Sequence, residues 1–110
     1  MFFVIFVTVV IFVVKDSNMT SRSVQVTNQL GLHARAAARF VHLATRFASQ
    51  IHVARDARVM DGKSIMGILL LAAARGTTLV ISADGVDEHM AVEALTQLVE
   101  SGFGDESWNG

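Results

Sequence analysis

The sequence predicts an α+β domain in two layers, with helices segregated on one face of an antiparallel sheet. Three observations carry this. Strand-like and helix-like segments follow one another in the order β-α-β-β-α-β-α. The strand-like segments are rich in valine and isoleucine and alternate apolar with polar residues. The helix-like segments each place their apolar residues on one stripe.

Ser23 to Thr27 reads as the first strand, with Val24 and Val26 turned inward. Asn28-Gln29-Leu30-Gly31 is a connection, and His33 is the candidate N-cap of the first helix. Ala37, Phe40, Val41, Ala44 and Phe47 give that helix its buried face, with Arg39, His42 and Arg46 on the wet one. Gln50 to Arg55 is a second strand, turned at Asp56-Ala57 into a third at Arg58 to Met60. Ser64 is a good N-cap for a short apolar helix from Ile65 to about Ala72. Gly76 suits the left-handed position that closes a helix. Thr77 to Ala83 is the fourth strand, and Gly85 turns the chain. Asp87 and Glu88 place acid at the positive end of a last helix, whose buried stripe is Ala91, Val92, Leu95, Leu98 and Val99.

A chain of 110 residues accommodates one compact domain. It has no cysteine, which excludes disulfides and thiolate metal sites. A net charge of −1 implies no strong field for nucleic acid. The N-terminus departs from the rest. Residues 2–14 are apolar apart from Thr8, a run of about 13 against the roughly 20 a membrane-spanning helix needs. The run lacks the basic start and small-residue cleavage site of a secretory signal. The expectation is that Met19 is the natural start and that residues 1–18 are not part of the native protein. A short membrane anchor and an extra edge strand are the alternatives. The domain then covers residues 19–103, with a flexible tail at 104–110.

The chemistry concentrates at Gly31-Leu32-His33-Ala34-Arg35-Ala36-Ala37. The first turn of a helix has backbone N–H groups without partners, and its macrodipole is positive there. Phosphate binds well at such a place. A neutral imidazole there can take a phosphoryl group as a nucleophile. Arg35 can hold the added charge by charge-assisted hydrogen bonds. His42, His52 and His89 lack metal-ligand spacing and read as surface histidines. Trp108 has no assignable role.

Four blocks together resemble the HPr family, the histidine-containing phosphocarriers of the bacterial phosphoenolpyruvate-dependent phosphotransferase system. They are Leu30-Gly31-Leu32-His33-Ala34-Arg35, Gly62-Lys63-Ser64-Ile65-Met66-Gly67, Gly76-Thr77, and Ala83-Asp84-Gly85 followed by Asp87-Glu88. The resemblance implies an open-faced β-sandwich, a four-stranded antiparallel sheet covered on one face by three helices. It implies a cytoplasmic, monomeric carrier in sugar transport, not an enzyme, without cofactor or metal and without nucleic-acid or membrane partners. Enzyme I, charged by phosphoenolpyruvate, would phosphorylate His33 at Nδ1, and enzyme IIA domains would take the group. The amides of Ala34, Arg35 and Ala36 would hold the phosphoryl oxygens with the Arg35 guanidinium. Ser64 resembles the regulatory serine modified by HPr kinase/phosphorylase. Ile65, Met66 and Leu69 would form an exposed apolar docking patch. Two rival readings keep the family but change the destination. One is a regulatory carrier of the nitrogen-type or permease-less kind; the other is a binding regulator read through phospho-Ser64.

One residue departs from the family pattern. Ala36 stands where the family usually has proline. Losing proline's preset φ loosens the turn by ~0.4–1 kcal/mol through the unfolded state, and it adds one amide N–H.

Overall fold

The computed structural model describes residues 19–104. The expectations for residues 1–18, Trp108 and the tail beyond 104 lie outside the described residues. The elements are β1 (Met19–Gln25), α1 (Ala34–Ala44), β2 (Gln50–Arg55), β3 (Arg58–Asp61), α2 (Ile65–Leu70), β4 (Thr78–Asp84) and α3 (Glu88–Glu100). The order is the expected β-α-β-β-α-β-α.

The four strands form one antiparallel sheet in the order β1-β4-β2-β3. Register puts Val24 opposite Leu79 and Val53 opposite Ile81, so the alternating apolar residues share one face. That face meets the helices through Phe40, Ile68, Leu95 and Val99 in a single buried cluster. Phe47 and Leu98 pack against its margin, only partly buried. On the opposite face Ser23, Val80, Ala54 and Val59 form a cross-strand row that no helix among the described residues covers. The sandwich is therefore open-faced.

Three expectations shift. β1 begins four residues before Ser23, because its backbone pairs with β4 from Met19↔Asp84 onward whether or not the side chains are apolar. α2 ends at Leu70, and the left-handed residue that follows its C-cap is Ala72 (φ 49°). Gly76 is left-handed too (φ 92°), but in the turn into β4, where its N–H donates to Val26 O at 2.8 Å. Arg39 is not on the wet face: it is half-buried and donates to the carbonyl of Phe103 at 2.5 Å.

Asp87 sits at the N-cap of α3 but makes no side-chain cap there. Its carboxylate instead accepts from the Ser49 hydroxyl (2.6 Å), the Ala48 amide (2.8 Å) and the Ser49 amide (3.0 Å). It thereby ties the loop after α1 to the start of α3. Glu88 accepts from the Thr20 hydroxyl (2.6 Å) and the Gly85 amide (3.1 Å). These bonds favour the ionised forms and hold both carboxyls below their ordinary values, led by the Ser49 hydroxyl for Asp87 and the Thr20 hydroxyl for Glu88. A group whose folded value is depressed stabilises the fold above its unfolded value and ceases to as pH falls through the folded one. The contribution of these two carboxylates to the urea midpoint is therefore expected to hold down to about pH 5 and to fall below roughly pH 4. In Asp87→Asn part of that fall should disappear; an unchanged acid limb would show that Asp87 contributes nothing to it.

Candidate phosphoryl site at the start of α1

The site is built from a loop that the sheet and α2 hold in place. Asn28 is buried, and its side-chain amide donates to Gly31 O at 2.8 Å. Gly31 takes φ 68°, and a Cβ there would lie 2.6 Å from Ala73 O. Leu32 N–H donates to that same Ala73 carbonyl at 2.9 Å, while the Leu32 side chain is buried. His33 then adopts an extended conformation (φ −78°, ψ 179°) and caps α1.

The cap is made by the imidazole itself. Arg35 N–H donates to His33 Nδ1 at 3.2 Å. Nδ1 is thus the acceptor, and the proton of the neutral ring belongs on Nε2. The Nδ1 lone pair faces the first-turn amides, where the helix dipole is positive. His33 O accepts from Ala37 N at 2.9 Å, so helical bonding begins at once. Ala36 and Ala37 are fully buried under this turn and anchor it to the core. His33 is half-buried, and Ala34 and Arg35 are exposed.

A groove of about 580 Å³ runs from this turn between α1 and α2, lined by Arg35, Ala38, Arg39, Val41, His42, Thr45 and Ile65. It joins Arg35 to the exposed start of α2. Ser64 caps α2 by accepting from Gly67 N at 3.1 Å. Ile65 and Met66 are 45% and 68% exposed. Leu69 differs from the expected patch: it is half-buried and packs against the core, and Leu70, at 57%, is the exposed leucine of this helix. Helical geometry explains the exchange, since Ile68 and Leu71 take the buried side and turn Leu70 outward. His42, His52 and His89 lie apart on α1, β2 and α3.

Sequence reasoning missed Asn28 and Ala73. An Asn three residues before a glycine is a turn signal that could have pointed to the first. The second acts through its carbonyl, which no side-chain pattern reports.

The site thus combines an imidazole nitrogen that accepts from a first-turn amide, an arginine two residues further on and an apolar rim at the start of α2. Residues 20–101 match the family described as "PTS HPr component phosphorylation site". The chain is 44% identical over 87 residues to the phosphocarrier protein HPr of Neisseria meningitidis serogroup A, covering 79% of this chain and 98% of that one. It is 45% identical over 87 residues to HPr of Cupriavidus necator, with the same coverage. The crystal structure of HPr from Thermoanaerobacter tengcongensis superposes with a TM-score of 0.75 at 44% identity, over 78% of this chain and 97% of that one. The chain belongs to the HPr family of phosphocarriers of the phosphotransferase system.

Proposed function

We propose that His33 is the phosphoryl acceptor of this chain, loaded by enzyme I and unloaded by enzyme IIA domains. The carrying observation is the Arg35 N–H···Nδ1 bond at the N-terminus of α1. It aims the Nδ1 lone pair at the amides that would hold phosphoryl oxygens. In the transfer the Nδ1–P bond forms as the bond from phosphorus to the donor breaks, and that electron pair returns to the donor. The Arg35 amide then exchanges the ring nitrogen for a phosphoryl oxygen, joined by the amides of Ala34 and Ala36 and by the Arg35 guanidinium. Return of the group to a second acceptor reverses these steps, so the chain has no turnover of its own. The functional domain is residues 19–103, acting in the cytoplasm.

Incubation with enzyme I, Mg²⁺ and phosphoenolpyruvate is expected to give an acid-labile phosphoryl group that is absent in His33→Ala. A label that survives this substitution overturns the assignment.

Ile65 and Met66, with Leu69 beneath them, form the docking surface in this reading. Ser64 lies at its edge, where HPr kinase/phosphorylase would place about −1.5 to −2 charges. A charge there must be desolvated on docking, at about 1–3 kcal/mol. Ser64→Asp is therefore expected to raise the KM of enzyme I for this protein roughly tenfold. Equal KM values for the two proteins would remove Ser64 from the docking surface.

A further inference from the structure

We propose that Arg55 and Arg58, on the β2–β3 hairpin, form a clamp that positions both α2 and the loop beneath His33. The inference rests on the phosphocarrier reading and extends it to residues outside the four family-like blocks.

Arg55 Nη1 donates to Leu71 O (2.7 Å) and Ala72 O (2.9 Å), and Arg58 Nη1 donates to Leu70 O (2.9 Å). These three consecutive carbonyls are the C-terminal end of α2, which has no basic residue in its own last turn. A helix of six residues has little intrinsic stability, and its negative end needs a cation. The hairpin supplies two. Ala72, within the clamp, is left-handed (φ 49°) although it is not glycine, so this turn is held against its own preference.

The next residue is Ala73, whose carbonyl receives Leu32 N–H immediately before His33. A continuous path of bonds thus runs from the hairpin guanidinium groups through residues 70–73 to the loop that orients the imidazole. Opening the clamp lets the end of α2 shift, and both the docking surface and the Leu32 anchor move with it. Arg55 and Arg58 are positioning residues in this scheme, because neither donates to His33.

The test compares the parent chain with Arg55→Met/Arg58→Met, which keeps side-chain length and removes the donors, and with Arg58→Lys, which keeps one. Two readouts are taken. Amide hydrogen exchange at Leu32, referenced to Ile81 in the central strand β4, reports the mechanical path without any need for phosphotransfer. The double variant is expected to exchange about tenfold faster at Leu32 with Ile81 unchanged. The KM of enzyme I for the double variant is expected to rise about three- to tenfold with kcat within a factor of about two. Arg58→Lys should stay near the parent in both. Unchanged protection at Leu32 overturns the clamp, and so does lost protection with unchanged KM. If the parent chain takes no label from enzyme I, the proposed function fails, while exchange at Leu32 still decides the path.

Discussion

Replacing Arg35 with glutamine is expected to slow phosphorylation of His33 by about 10²- to 10³-fold, the usual effect of removing one donor from a developing oxyanion. The substitution is a clean one. Arg35 is exposed, so stability should change by no more than about 0.5 kcal/mol. Its main-chain N–H remains, and so does the bond to Nδ1 that orients the ring. What is lost is the guanidinium, which in the proposed transfer would bring a full positive charge to the incoming phosphoryl group. The measurement is the initial rate of labelling by enzyme I at saturating protein, beside a urea titration. A glutamine variant labelled at the parental rate would mean that the amides alone carry the charge.

The second large effect is on the loop. In Gly31→Ala an L-residue is forced to φ 68°, at a cost of about 1–2 kcal/mol. Its Cβ also falls 2.6 Å from Ala73 O and 3.0 Å from Ala74 Cα, both backbone atoms that cannot swing aside. The loop has to move, and the Leu32 N–H···O bond to Ala73 is in its way. A total loss of about 2–4 kcal/mol is expected, together with a fall in the labelling rate. Gly76→Ala is the control. It shares a positive φ, but nothing lies within 4 Å of its Cβ, so only the conformational cost applies. Equal destabilisation by the two substitutions would show that the approach of Ala73 is not what requires glycine at position 31.

Most of the fold was legible because its elements announce themselves locally. Gln50 to Arg55 alternates cleanly and is β2 to the residue. The stripe Ala37, Phe40, Val41, Ala44 fixes the buried face of α1. His33 and Ser64 were readable as caps because an N-cap is a short-range device, and both make the expected bonds. What escaped depends on partners far along the chain. The polar half of β1 is a strand only because β4 lies beside it. Arg39 reads as a surface residue until Phe103 presents a carbonyl to it 64 residues later. Leu69 and Leu70 are adjacent leucines whose exposure is set by the angle at which α2 meets the core, which neither hydropathy nor spacing specifies in a six-residue helix. Ala72 is left-handed where a glycine was anticipated, held there by contacts from β2. At the candidate site the two caps were readable and the scaffold of backbone bonds beneath them was not.

The central claim is that one ring nitrogen of one histidine takes the phosphoryl group, at the position where the Arg35 amide already meets it. The direct test is nitrogen and phosphorus NMR of the ¹⁵N-histidine-labelled protein after charging with enzyme I and phosphoenolpyruvate. A phosphorus–nitrogen coupling confined to Nδ1 of His33 is the expected result. Coupling to Nε2, or a phosphoryl group on His42, His52 or His89, would contradict it.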